Sequence, residues 1–105
     1  ERAEAMKRYV GQRTIDGIQV PVDGAPLAER TDIAALTGSG FEWTYEGTAP
    51  AQLALAMLAD HLGDDAKALA LHEAFMRAVV ANFGNEWEMR GGDIDAALAA
   101  IASAG

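Results

Sequence analysis

Cysteine is absent from the 105 residues, so disulfide bonds and thiolate metal sites are excluded. No apolar run approaches the roughly 18 residues that a membrane-spanning helix requires. No charged and then apolar leader precedes a small-residue cleavage site. These absences predict a protein of the reducing cytoplasm that has no membrane segment.

Basic residues are also scarce: 8 lysines and arginines stand against 16 acids, for a net charge of −8. Residues 28–105 carry the whole excess. Such a surface repels nucleic acid and anionic membranes, so we expect no direct nucleic-acid binding and instead a basic protein partner. The alternative is that the charge only keeps the protein soluble. Four acids near a predicted helix junction form the candidate partner-binding face: Asp60, Asp64, Asp65 and Glu73.

The length and the hydrophobic share of 50% suit one domain with a modest core. Residues 1–5, which precede Met6, are interpreted as a remnant of an expression vector and are left out of the fold. Residues 6–105 are then predicted to form a single domain, because no linker or internal repeat divides them.

The stretch around residues 40–62 organises the prediction. Phe41, Trp43 and Tyr45 alternate with polar residues, which predicts a strand with its aromatic side chains on one face. Gly47 would end this strand, and Thr48 would cap a helix that begins at about residue 49. The helix is predicted to contain Pro50 in its first turn and to end at Gly63.

Residues 40–58, GFEWTYEGTAPAQLALAML, resemble the signature GFEW-x-Y-x-G-x-x-PAQLALA of a family of uncharacterised small bacterial, archaeal, plasmid and phage proteins. The resemblance extends from about residue 7 to residue 95. It includes an N-terminal Tyr-x-Gly-x-Arg, here Tyr9 to Arg13, and a late Trp87 followed by Asp93-Ile94. Similar sequences often have glycine where this chain has Thr44. The resemblance implies no activity, cofactor or catalytic residue.

The N-terminal part predicts a β-hairpin in which Lys7 to Arg13 and Ile18 to Val22 flank a turn at Asp16-Gly17. Pro21 lacks an amide donor, so the second strand should be an edge strand or end near residue 20. Residues 23–26 are predicted to form a further turn, and residues 27–36 a short helix or an irregular loop.

Two further helices follow. Asp64 is predicted to cap the second helix of an α-hairpin, and Asp93 a C-terminal helix, with a strand at residues 86–90 between them. The fold class is therefore α+β: a small antiparallel sheet with an N-terminal hairpin, packed against the α-hairpin and the C-terminal helix. The second helix is predicted to bury Leu69, His72, Phe75, Met76, Val79, Val80 and Phe83, and the last helix Ile94, Ala97, Leu98 and Ile101.

Few residues suggest a catalytic, metal-binding or cofactor-binding role. His61 and His72 fall on different helices at a spacing that fits no metal motif, and His72 is interpreted as a core residue. Glu42 and Glu46 would lie about 13 Å apart on a strand, too far to act on one bond. Arg8, Arg13 and Arg30 are instead candidate counter-ions for these two glutamates. No nucleophile elbow, phosphate loop or dinucleotide fingerprint occurs, so we predict no cofactor, and nothing argues for an enzyme.

Two functions remain open. The first is a non-enzymatic acidic interaction protein, encoded by a mobile element, that binds a basic site on a protein partner. Its sharpest form is a nucleic-acid-mimicking inhibitor of a defence nuclease or guide complex. The second is a small ligand-binding or catalytic domain that uses Glu42, Trp43, Tyr45 and Gln52. If these residues are structural instead, Trp43 should be buried and Gln52 should bond to backbone near the strand-helix turn.

Overall fold

The computed structural model describes residues 7–38 and 40–104, so residues 1–5, interpreted as a vector remnant, lie outside the described part. Within that part, a five-stranded antiparallel sheet packs against three α-helices, which confirms the predicted α+β fold. The strands are β1 (Arg8–Thr14), β2 (Gly17–Gln19), β3 (Pro21–Val22), β4 (Ala25–Pro26) and β5 (Trp87–Arg90). The helices are α1 (Thr48–Leu62), α2 (Asp65–Ala78) and α3 (Gly91–Ala104), with a 3-10 turn at Val80–Asn82.

Strand β1 is the centre of the sheet. It pairs with β2 and β3 along one edge and with β5 along the other, where Tyr9 faces Met89 and Gly11 faces Trp87. Alternate residues Tyr9 and Gly11 are buried while Arg8 is exposed, as expected for a strand with one face on the core. The sheet therefore presents every second residue of β1 to the helices.

The N-terminal hairpin is confirmed, but its turn lies one residue earlier than predicted. Thr14 pairs with Gly17, so Ile15 and Asp16 form the two-residue loop, and Gly17 carries the positive φ of 110°. Strand β2 ends at Gln19, in agreement with the limit that Pro21 sets. Residues 27–36 follow as an irregular loop with one turn at residues 31–33.

Helix α1 is almost completely buried. It ends at Gly63, whose φ of 65° and amide bond to the Ala59 carbonyl, 3.1 Å, confirm the predicted left-handed stop. The predicted cap at its start was wrong: Gly47 occupies the N-cap position, and Thr48 is the first helical residue and caps nothing. Pro50 lies in the first turn, where its missing amide costs no hydrogen bond.

Helix α2 begins as predicted, because the Asp64 carboxylate accepts a hydrogen bond from the Lys67 amide at 3.0 Å. Its buried face is rotated from the predicted stripe: Leu69 is 40% exposed, whereas Ala68 is fully buried. Seven residues are close to two full turns, so Ala68 shares the face of Phe75, whereas Leu69 lies about 100° further round the helix, at the edge of the buried face with Met76. Phe75 and Met76 are buried as predicted.

The predicted strand at residues 41–45 was wrong, because these residues form no strand. Trp43 is fully buried and Phe41 half-buried, but Tyr45 is exposed. Thr44 between them has a φ of 82°, which turns the chain and breaks the alternation of faces. Its amide is held by the Val80 carbonyl at 3.2 Å. A β-branched residue is strained in this conformation, and glycine would suit it.

The C-terminal end agrees with prediction except in its cap. Helix α3 begins at Gly91, so Asp93 lies inside the first turn, where its carboxylate accepts from the Arg90 amide at 2.9 Å. That is the reciprocal half of a capping box. Ile94 is fully buried, and Ala97, Leu98 and Ile101 are half-buried against the core.

Candidate functional site

The aromatic residues of the signature form part of the core. The indole Nε1 of Trp43 donates to the Asn85 carbonyl at 3.1 Å. The Trp43 ring meets the Trp87 ring edge-on at a centroid distance of 5.7 Å, and Phe83 stacks on Trp87 at 4.2 Å. These edge-to-face and stacked contacts join Trp43 to the stretch of residues 83–87.

Arg13, on strand β1, contacts this aromatic cluster through hydrogen bonds and a cation–π interaction. Its guanidinium donates to Glu42 Oε1 and to Asn85 Oδ1, both at 2.7 Å. The guanidinium carbon lies 4.8 Å from the centre of the Trp43 ring, within the range of a cation–π contact. Of the three candidate counter-ions, Arg13 therefore pairs with Glu42 as predicted. The prediction was wrong for Arg8, which pairs with Glu88. It was also wrong for Arg30, which pairs with Asp32 and Asp65. Glu46 instead lies 3.8 Å from Arg77.

Gln52 is fully buried on α1 and bonds to backbone at both ends of its amide. Its Oε1 accepts from the Leu36 amide at 2.8 Å, and its Nε2 donates to the Glu29 carbonyl at 2.7 Å. The expected backbone bonding is confirmed, but the partners lie in the loop of residues 27–36 and not at the turn before α1. One side chain thus fixes a loop that has almost no regular secondary structure of its own.

Tyr45 is the one aromatic residue of the signature that faces solvent, with 49% of its surface exposed. Its ring covers Gly47, where a Cβ atom would lie 2.8 Å from the ring. Of the four candidate ligand-binding residues, Trp43 and Gln52 are inside the core, Glu42 is half-buried and paired with Arg13, and Tyr45 alone is open.

The N-terminal Tyr-x-Gly-x-Arg carries more of the structure than its sequence suggested. Tyr9, Gly11 and Arg13 lie on the core-facing side of β1, and each contacts a different distant element. The Tyr9 hydroxyl donates to Asp60 Oδ2 on α1 at 2.6 Å. Burial, with the Asp60 carboxylate second, raises the pKa of Tyr9 well above its usual range. The period-two spacing was the available signal for this shared face.

The four acids of the candidate partner-binding face are only partly brought together. Asp64 and Asp65 are neighbours at the start of α2. Asp60 instead accepts from Lys7 Nζ at 3.0 Å as well as from Tyr9, so it is committed to the sheet. Glu73 lies about 12 Å along α2 from Asp65, at the helical rise.

Two arginines on this side of the protein are each shared between two carboxylates. Arg30 lies 3.0 Å from Asp32 and 2.9 Å from Asp65. Hydrogen bonding to Arg30 lowers the pKa of Asp32. Arg77 contacts Glu73 at 2.7 Å and the more distant Glu46. Because one positive charge serves two negative charges in both cases, the surface around α2 remains negative.

A histidine–aspartate pair joins α1 to α3, and sequence reasoning missed it. His61 is buried, and its Nε2 lies 2.7 Å from Asp95 Oδ1. Its Nδ1 has no hydrogen-bond partner in the part of the chain that the structure describes. The two residues are 34 positions apart in the sequence, so no local pattern links them. His72 is half-buried and bonds to the Leu69 carbonyl.

The described residues contain no group of three or more His, Cys, Asp or Glu side chains that could hold a metal ion. In the same part of the chain, no helix has both the length and the apolar character needed to cross a membrane.

The model of one protein family matches residues 9–100, a range that includes the aromatic cluster, the Gln52 anchor and the His61–Asp95 pair. The chain belongs to DUF6166, a family of unknown function. No curated protein and no solved structure matches the chain. The family range begins at Tyr9, the first residue of the Tyr-x-Gly-x-Arg motif, so the contacts made by Tyr9, Gly11 and Arg13 lie inside the part shared with DUF6166.

Proposed function

We propose that this protein is a non-enzymatic acidic interaction protein that binds a basic site on a protein partner. The observation that carries the proposal is that the basic side chains are paired with carboxylates inside the protein itself. In the described part of the chain, every basic side chain except Lys67 lies within 4 Å of a carboxylate: Lys7, Arg8, Arg13, Arg30, Arg77 and Arg90. The acids that remain leave a surface able to attract a basic partner.

The start of α2 is the proposed centre of this surface. Asp64 and Asp65 are exposed, and Asp32 adds a third carboxylate through their neighbour Arg30. Three negative charges here stand against the paired Arg30 and the exposed Lys67 of the same turn, so the region keeps a net negative charge. A partner with clustered lysines or arginines would be drawn to this region by long-range attraction, which salt would screen beyond about 8 Å.

In its sharper form, the proposal is that a phage or plasmid encodes this protein and that its carboxylates imitate the phosphates of a nucleic acid. The target would then be a nuclease or guide complex of a host defence system. The abundance of acids and the pairing of all but one of the basic side chains in the described residues support this form. Competition between the protein and DNA for such a target would test it, because a mimic and DNA exclude one another.

The alternative use of Glu42, Trp43, Tyr45 and Gln52 as a ligand site has less support. Trp43 and Gln52 are fully buried, and their polar side-chain atoms bond to backbone within the fold. A ligand would have to displace those bonds, whose loss leaves buried polar groups unsatisfied. Tyr45 alone offers an accessible ring.

The test is capture of partners from a host lysate by the wild-type protein and by an Asp64→Asn/Asp65→Asn variant, at low and high salt. Asparagine caps a helix as well as aspartate does, so this variant removes charge and keeps the start of α2. We expect the variant to lose most of the captured partner, and about 0.5 M salt to release it from the wild type.

The matched control is Asp16→Asn/Glu86→Gln, which removes the same charge from two exposed acids that form no ion pair in the described structure. Capture by this control should equal that of the wild type. An equal loss in both variants would show attraction to net charge and not to this surface. Capture that survives both the α2 variant and high salt would refute the proposal.

A further inference from the structure

A groove of about 390 Å³ lies where the end of α1 meets α2 and α3. Leucine, isoleucine and alanine side chains form most of its lining, and among the described residues that line it Lys67 and Asp95 carry the charges. Small-molecule sites typically have about 300–1,000 Å³, an apolar lining and a few polar groups, so this groove falls at the lower end of that range. The apolar lining consists of Leu62, Leu71, Leu98, Ala99, Ile101 and Ala102.

Lys67 is the exception to the pairing of basic side chains. No carboxylate lies within ion-pair distance of its ammonium in the described part of the chain, although acids outnumber bases two to one in the sequence. It also lies in the first turn of α2, where the helix dipole disfavours a positive charge. Neither an ion pair with the described residues nor the helix dipole therefore stabilises this ammonium, and it is available to an external anion.

In the described structure, Asp95 is bonded through one of its two carboxylate oxygens. His61, whose side chain is only 4% exposed, fixes Asp95 Oδ1 through its Nε2 at 2.7 Å. The Asp95 side chain is half-exposed, and its Oδ2 has no partner among the described residues. Asp95 lines the groove, so this second oxygen is able to accept a hydrogen bond from a ligand there.

We propose that this groove binds a small zwitterion with an apolar side chain, the chemical class of the aliphatic α-amino acids. Lys67 pairs with the ligand carboxylate, and Asp95 Oδ2 accepts from its ammonium. The apolar side chain lies against Leu62, Leu71 and Leu98. A ligand with both charges satisfies both groups of the lining, whereas a simple carboxylate would be repelled by Asp95 and a simple amine by Lys67.

A second copy of the chain is a weaker candidate for the groove. A stable dimer buries about 1,200 Å² or more in total, with an apolar centre. The large apolar residues that are exposed in the described structure are Ile15, Tyr45 and Leu69, and none of them lines the groove. The groove is thus a local depression of side-chain size and not the middle of a wide apolar face.

The test titrates the full chain with leucine and two single-charge analogues, 4-methylpentanoate and 3-methylbutylamine, and follows amide resonances by two-dimensional NMR. We expect leucine to shift resonances of α2 and α3 around the groove, and each analogue to bind at least about tenfold more weakly, a loss of about 1.4 kcal/mol. An analogue that binds as tightly as leucine would overturn the proposal, as would no shift at about 10 mM leucine.

Variants give the second arm. Lys67→Gln and Asp95→Asn should each weaken leucine binding about tenfold, whereas Asp16→Asn at the hairpin tip should leave it unchanged. Asparagine keeps an acceptor for His61, and an unchanged thermal unfolding curve will show that the Asp95 variant is folded. Binding that is insensitive to both groove variants would overturn the proposal. So would a dimer in sedimentation that Lys67→Gln dissociates, because a second copy would then cover the groove.

Discussion

Gly11 lies directly against the indole nitrogen of Trp87: a Cβ atom at residue 11 would be 1.9 Å from Nε1. The two residues are paired across β1 and β5, and the Trp87 ring crosses β1 at the position without a side chain. The ring there stacks on Phe83 and meets Trp43 edge-on. A glycine on the sheet is thus a condition for assembling the aromatic cluster.

We predict that Gly11→Ala lowers the free energy of unfolding by about 3 kcal/mol, at the upper end of the usual cost of overpacking. The added methyl group collides with ring atoms that the rest of the cluster holds in place. Urea titration followed by tryptophan fluorescence measures the change. Gly84→Ala is the control, because its Cβ would meet nothing closer than 3.7 Å. An alanine at residue 11 with wild-type stability would contradict the packing of Trp87.

Thr44→Gly should stabilise the protein by about 1 kcal/mol, because glycine adopts the φ of 82° without strain. The gain is reduced by the greater freedom of glycine in the unfolded chain. Thr44→Ala is the matched comparison, since it removes the hydroxyl and keeps the strained Cβ. Thermal unfolding of the three proteins should rank glycine above threonine and alanine. A glycine variant less stable than the alanine variant would rule out strain at this residue.

Gln52→Leu should lower the free energy of unfolding by about 2 kcal/mol. The change removes the partners of the Leu36 amide and the Glu29 carbonyl but keeps the core filled. Amide hydrogen exchange should also accelerate in residues 27–36. The control is Gln19→Leu on the exposed side of β2, which should change stability by no more than about 0.5 kcal/mol. Unchanged exchange in the loop would mean that Gln52 does not anchor it.

The raised pKa of Tyr9 predicts that the protein loses stability at high pH. The fold raises the pKa of its phenol above the unfolded value of 10.0, so the stabilisation is complete below pH 10. As pH rises above 10, the unfolded state releases this proton more readily than the folded state, and the free energy of unfolding falls. Urea midpoints between pH 8 and 11 should fall less steeply in Tyr9→Phe than in the wild type. Parallel slopes in the two proteins would show that Tyr9 is not protected by the fold.

Local patterns were sufficient where the physics is local. The Asp64 cap and the Gly63 stop follow from backbone groups within a few residues, and helical periodicity placed Phe75 and Met76 inside. Glycine and proline positions likewise predicted the N-terminal hairpin. For the same reason the α+β fold class could be predicted, since each element carried its own period.

The same reasoning failed where distant residues decide the backbone. Alternating aromatics predicted a strand at residues 41–45, but Trp43 is held by Asn85 and Trp87, and the Thr44 amide by Val80. These contacts bend the chain at Thr44 and override its β propensity.

The sequence by itself determined the three helices, the N-terminal hairpin, the Asp64 cap, the Gly63 stop, the α+β class and the excess of acid. Only the tertiary structure decided which acids are neutralised, where Gln52 is anchored, and that His61 meets Asp95 at the groove that Lys67 also lines. The physical reason is the sequence separation of the interacting residues. Hydrogen bonds within a helical turn join neighbouring residues, so a short stretch of sequence predicts them. Ion pairs and grooves instead depend on how whole helices pack, which no short stretch of sequence specifies.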